Sequence, residues 1–194
     1  MNNKINKLAQ TGLLAALCFV TFTFLQIKIP LPSGNGFTSI HFGNVFLVLA
    51  ALLIGGFYGG LAGAIGMTIA DIVDPVYIIV APKTFVLKFC IGLIVGLVAH
   101  KIKRINDSQD KKYIAKWAII ASICGMGFNV IADPFVGYLY QRFLLNQPVE
   151  IATAIAKLSG GVTAFNAVLT VIIANTLYLV IRPTLEKSGL LVKS

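Results

Sequence analysis

The chain has 194 residues, 57% hydrophobic and only 12% charged, with a formal net charge of +9; soluble domains carry about 25% charged residues. One core of this size cannot hide so much apolar surface from water, which excludes an ordinary water-soluble globule. Nucleic-acid binding is also a poor account of the charge, because the basic residues sit at the ends of apolar runs, where anionic lipid attracts them.

Lys4 and Lys7 precede the first apolar run, Leu8–Ile27. The run is long and ends in Gln26-Ile27-Lys28-Ile29-Pro30 without a small-x-small cleavage site, so it reads as a membrane span rather than a signal peptide. Lys28–Ser39 contains Pro30, Pro32, Gly34 and Gly36 and reads as an irregular loop. The second and third spans, Phe42–Phe57 and Gly60–Val80, meet in a tight turn at Tyr58-Gly59-Gly60. After Asp74-Pro75 to Pro82 comes the fourth, Thr84–Ala99; Asn106–Lys112 is a hydrophilic linker; Ile114–Tyr140 and Ile151–Ile181 complete the set. A crossing needs roughly 20 apolar residues, so the chain is used up. The expected fold is all-α and integral to the membrane: a bundle of six transmembrane helices forming one domain over residues 1–194.

Lysines and arginines in the connections orient such a bundle. With six spans both termini share a side. That side takes Lys4, Lys7, Lys101, Lys103, Arg104, Lys111, Lys112, Lys116, Arg182, Lys187 and Lys193, against Lys28, Lys83, Arg142 and Lys157 on the other. The termini are therefore expected in the cytoplasm. Small residues one turn apart, as in Gly12-x-x-x-Ala16, Gly55-x-x-x-Gly59, Gly59-x-x-x-Gly63, Ala62-x-x-x-Gly66 and Gly92-x-x-x-Gly96, allow close helix contact.

An ionisable group inside a span is costly and marks function by default. The candidates are Asp71, Asp74, Lys88 and Asp133, with His41 and Lys83 at the margins and the neutral groups Asn44, Asn129, Ser159, Thr163, Asn166 and Asn175. At about 1.5 Å rise per residue, nearly all fall in the half of the membrane away from the termini. A proton relay or pore needs polar groups through the full thickness, so the pattern describes a pocket open outward and closed below. Asp71 and Asp74, Asn129 and Asp133, and Thr163 and Asn166 are each one turn apart and share a face. Tyr77, Phe128 and Phe165 lie beside them, placed to stack on a planar ring. The expected substrate-binding set is His41, Asn44, Asp71, Tyr77, Lys83, Lys88, Asn129, Asp133, Thr163 and Asn166. Other roles compete: an Asp71–Lys88 ion pair that only joins helices, helix-end roles for Asp74-Pro75 and Asp133-Pro134, and a membrane-interface position for His41. Asn175 reads as an interhelical hydrogen bond away from the site.

Cys18, Cys90 and Cys124 lie in apolar runs without metal-ligand spacing and read as buried free thiols. His41 and His100 sit near opposite surfaces, and no His-Glu-x-x-His, Gly-x-x-x-x-Gly-Lys-Ser/Thr or Gly-x-Ser-x-Gly motif is present. No metal, no cofactor and no enzymatic activity are expected. A membrane enzyme built on Asp71, Asp74 or Asp133 and an autonomous secondary transporter are the competing classes.

The order of Thr11-Gly12-Leu13-Leu14-Ala15-Ala16-Leu17, Ile40-His41-Phe42-Gly43-Asn44, Gly55-Gly56-Phe57-Tyr58-Gly59, Ala70-Asp71, Pro82-Lys83-Thr84, Lys88 and Asn166 resembles the substrate-binding S component of energy-coupling factor (ECF) vitamin transporters. The resemblance covers essentially the whole chain. It implies capture of a small water-soluble vitamin, with a pyridoxine or hydroxymethylpyrimidine type of ring expected and riboflavin as the alternative. It also implies a transmembrane T component and two cytoplasmic ATPases as partners. In that family a small-x-x-x-small strip on the first helix, typically Ala-x-x-x-Ala, docks the T component; here it reads Gly12-x-x-x-Ala16.

Overall fold

A computed structural model describes residues 3–34 and 36–192; Lys193, counted above among the basic residues, lies outside the described residues. Six helices form the expected bundle: α1 (Asn3–Phe24), α2 (Gly43–Ile54), α3 (Gly56–Val73), α4 (Ala81–Gly96), α5 (Lys111–Leu139) and α6 (Val149–Lys187). A π-helical turn extends α4 over Leu97–Ile102 and another extends α5 over Tyr140–Leu144. All but α2 are long and apolar enough to cross a membrane. At 12 residues, α2 rises only about 18 Å. It is buried along nearly its whole length, so its neighbours, not lipid, satisfy its apolar side chains. Large apolar residues such as Phe24, Ile131, Phe143 and Val180 are instead fully exposed on the outer helices, as a lipid-facing surface requires.

The break between α2 and α3 falls at Gly55, not at the expected Tyr58-Gly59-Gly60. Gly55 has φ 92°, a conformation that costs a residue with a Cβ. Gly59 is then free to lie against the backbone of Ala50 and Ala51. Along α3 and α4, Gly56 meets Gly96 and Gly60 meets Gly92, backbone on backbone, while Gly66 sits on Ala15 of α1. The small-residue stripes of α3 and α4 thus pack inside the bundle. On α1 the buried face is Thr11, Leu14, Cys18 and Phe22, and both Gly12 and Ala16 are exposed.

The third helix ends at Val73, short of the expected Val80. Asp74 precedes Pro75, which disfavours helical ψ at the residue before it, and Asp74 is extended (φ −93°, ψ 112°). The segment read as an irregular loop is largely a hairpin, β1 (Gln26–Pro30) and β2 (Phe37–His41), antiparallel, with Gln26 opposite His41 and Pro30 opposite Phe37. The prolines and glycines mark its turn and strand end, with Gly34 and Gly36 at positive φ, and the alternation in Gln26-Ile27-Lys28-Ile29 suits a strand. A lone hairpin is marginal in water; here α6 completes it. Asn166 Nδ2 donates to Ser39 O (2.9 Å) and Asn166 Oδ1 accepts from His41 N (3.2 Å), so one side-chain amide takes the place of a third strand.

The three cysteines are free, but only Cys18 is buried; Cys90 is half-buried and Cys124 is exposed on the apolar outer surface of α5. Asn175 makes the expected interhelical bond, donating to Ser122 Oγ at 3.0 Å.

Candidate functional site

The hairpin, the α3–α4 connection and the α5–α6 connection share the end of the bundle opposite both described chain ends. Beneath them lies a cavity of about 220 Å³. All ten expected site residues line it: His41 from β2, Asn44 from α2, Asp71 from α3, Tyr77 from the following turn, Lys83 and Lys88 from α4, Asn129 and Asp133 from α5, and Thr163 and Asn166 from α6. Ser159, also singled out, joins them. The spacing works because α5 and α6 each turn one face, at i and i+3 or i+4, towards the same space.

Two charged residues are tied together. Lys83 Nζ lies 2.9 Å from Asp133 Oδ1, and Thr163 Oγ1 donates to Asp133 Oδ2 at 3.0 Å. Asp133 therefore bonds to side chains of α4 and α6, not to the backbone groups that Pro134 frees. The expected Asp71–Lys88 ion pair does not form within 4.0 Å. The side-chain oxygens of Asn44 and Asn129 and Asp71 Oδ2 are buried without a hydrogen-bond partner, as is His41 Nδ1. His41 packs edge-on to Phe22, with ring centroids 4.5 Å apart. Burial, reinforced by the positive charge of Lys88, pushes its pKa down to about 3, so the imidazole is neutral. Burial likewise pushes Tyr77 up to about 12, so its phenol keeps its proton.

Asp74 leaves the shared face it was expected to occupy with Asp71. It sits past the end of α3, where it accepts from Lys28 Nζ (2.7 Å) and from Val76 N (3.0 Å) and clasps the hairpin to the α3–α4 connection. The aromatic wall also differs. Tyr77 lines the cavity, but Phe128 and Phe165 do not, and Phe22 of α1 is there instead. Ser39, Thr84, Gln141 and Gln147 are among the further polar residues of the lining. Thr84 belongs to the Pro82-Lys83-Thr84 run that carries the resemblance but was not among the expected site residues; nothing in an apolar helix distinguishes Phe22 before its rotation is known.

Residues 2–183 match the family model of the ECF-type riboflavin transporter S component. The chain belongs to this family. A UPF0397 protein from an Exiguobacterium species is 31% identical over 185 residues, covering 93% of this chain and 91% of the relative. An uncharacterized protein from Pyrococcus woesei is 38% identical over 77 residues, covering 40% of this chain and about half (49%) of that relative. Among solved structures, the S component for biotin from an ECF-type ABC transporter superposes with a TM-score of 0.61 over 91% of this chain and 93% of the other, at 23% identity. That likeness carries the fold. By family this chain is an S component of an ECF-type transporter, and its cavity lies where the sequence gathered its polar residues.

Proposed function

We propose that this S component captures a small water-soluble vitamin or precursor with a single polar heterocyclic ring, of the pyridoxine or hydroxymethylpyrimidine type, from outside the cell. The observation that carries this reading is the cavity itself: the ten side chains singled out, from one strand, five helices and the turn at Tyr77, converge with further polar groups on about 220 Å³. Small-molecule sites usually measure about 300–1,000 Å³, so this one suits one ring better than three. The excess of Lys and Arg on the side of the termini supports a cytoplasmic location for them, which turns the cavity outward. Delivery requires partners, because the sequence has no phosphate-binding loop of its own. A T component and two ATPases are the partners proposed. The exposed Gly12 and Ala16 on α1 offer the T component a smooth helix face, since small residues let two helices approach closely in lipid.

Titrating the detergent-purified chain with pyridoxine, hydroxymethylpyrimidine and riboflavin tests the reading. One of the two single-ring compounds is expected to bind at least tenfold more tightly than riboflavin; the opposite order would overturn the assignment of ring size. Riboflavin is the second reading, favoured by the description of the matching family. Replacing Gly12 and Ala16 together by leucine should abolish copurification with the T component and leave ligand binding unchanged. Intact assembly in that variant would remove α1 as the docking face.

A further inference from the structure

We propose that the substrate bridges Asp71 and Lys88, offering a ring N–H or exocyclic amine to the carboxylate and a ring nitrogen or anionic oxygen to the ammonium. This rests on the capture reading above and narrows its chemistry. Four charged side chains line the cavity, and only two of them, Lys83 and Asp133, close on each other. Asp71 and Lys88 stand on adjacent packed helices and are 1% and 8% exposed. Opposite charges so placed would ordinarily meet, because an uncompensated buried charge is strongly unfavourable. They do not come within 4.0 Å, and Lys88 makes no hydrogen bond or ion pair among the described residues. Asp71 Oδ2 is buried without a hydrogen-bond partner among the described residues.

The neutral groups beside this gap fit the same kind of molecule. Asn44 and Asn129 are 1% and 2% exposed, and neither side-chain oxygen has a hydrogen-bond donor. An amide offers a donor and an acceptor side by side. It therefore matches a heterocycle whose edge alternates ring nitrogen with amine or hydroxyl. Pyridoxine has a phenolic oxygen and a ring nitrogen that exchange a proton, so it carries both signs of charge at once. Hydroxymethylpyrimidine sets an exocyclic amine beside a ring nitrogen. Either molecule can donate to Asp71 and accept from Lys88. A ligand with acceptors alone would leave Asp71 unmatched.

The test is calorimetric titration of the purified chain with these two compounds and with two deletion analogues, one lacking the pyridoxine phenolic oxygen and one lacking the pyrimidine amine. Whichever parent binds should lose roughly ten- to hundredfold in affinity on deletion, the usual worth of a hydrogen bond to a charged group. Lys88→Met should weaken the pyridoxine parent by a similar factor and erase its difference from the deoxy analogue. Asp71→Asn should do the same for the amine. If parents and analogues bind the unmodified chain equally well, the bridge is wrong and the capture reading stands. If neither parent binds, both fall. Should either variant fail to purify as a folded species, the analogue comparison on the unmodified chain decides alone.

Discussion

At the end of the bundle near the termini, buried polar side chains are spent on the protein's own backbone; at the hairpin end several are held without partners. His100 Nε2 lies 3.0 Å and 3.1 Å from the carbonyls of Ala51 and Leu52. Asn106 Nδ2 donates to the carbonyls of Leu52, Leu53 and Val192, and Tyr178 OH donates to Asn106 Oδ1 at 2.6 Å. Arg182 adds bonds to Ser108 O at 2.8 Å and Glu186 at 3.0 Å. The reason lies in α2. Gly55 ends the helix there, so the Leu52 and Leu53 carbonyls in its last turn take side-chain donors from the α4–α5 region, while Ala51 O also accepts from Gly55 N at 3.2 Å. The difference teaches how to read a buried amide. Asn106 and Asn129 are 0% and 2% exposed, yet one is a bolt and the other an open contact.

The glycines offer the most severe way to break that comparison. A Cβ on Gly96 would collide with the backbone of Gly56, and neither helix can yield without opening the end near the termini. Gly96→Val is expected to abolish the folded, monodisperse species in size-exclusion chromatography. At the cavity end a Cβ on Gly160 would meet only Pro134 Cβ, at an ordinary 3.6 Å, so Gly160→Ala should elute as the unmodified chain does. A well-folded Gly96→Val would show that the closed end is looser than its packing implies.

A pair of amide substitutions sharpens the contrast with a smaller effect. Asn106→Ala removes the side-chain donor to the Leu53 and Val192 carbonyls and the acceptor of the Tyr178 hydroxyl, while Leu52 O keeps His100 Nε2. At about 1–3 kcal/mol for each buried group left unpaired, and allowing for relaxation, a loss of about 3 kcal/mol is expected, read as a lower thermal midpoint in detergent. Asn129→Ala removes no hydrogen bond within the protein. Its stability should change by less than about 1 kcal/mol, while affinity for the single-ring ligand should fall about tenfold. Equal losses of stability in the two variants would erase the distinction between bolt and contact.

The sequence made much of the cavity end legible and little of the other. Asp71, Lys88 and Asp133 stood out because ionisable residues are costly in apolar spans, and helical spacing then placed Asn129 with Asp133 and Thr163 with Asn166 on common faces. The six helices followed from hydrophobicity, although α2 gave no sign that it would be buried by protein rather than by lipid. Its run of apolar residues reads the same in either solvent. The bond of Asn166 to the backbone of β2 leaves no mark in the sequence, because the prolines and glycines of Lys28–Ser39 point to a loop and not to the hairpin it completes. The Asn106–Tyr178 bond joins residues 72 positions apart, and no local period reports such a pair. Phe22 replaced Phe128 and Phe165 because helix rotation, not sequence neighbourhood, decides which aromatic ring faces inward.

The smallest effect expected is a pH dependence confined to the cavity end. The hydrogen bond from Lys28 holds the Asp74 carboxyl below the usual carboxylate range. A depressed carboxyl contributes its stabilisation above the unfolded-state pKa of about 3.9 and loses it as pH falls through the lower folded-state value. The clasp between hairpin and α3–α4 connection is therefore intact at neutral pH and released only in strong acid. Both partners are partly exposed, 37% and 26% by side chain, so solvent screening keeps the contribution modest. Amide hydrogen exchange over the strands at residues 26–30 and 37–41, corrected for its intrinsic pH dependence, should accelerate below about pH 4, while the α2 amides, bonded within the buried helix, stay protected. Asp74→Asn should produce the same hairpin exchange at neutral pH and remove the acid response. Hairpin protection that ignores both the substitution and the acid would mean that Asn166 alone holds β2 in place. The hairpin would then be fixed to α6 and indifferent to the α3–α4 connection.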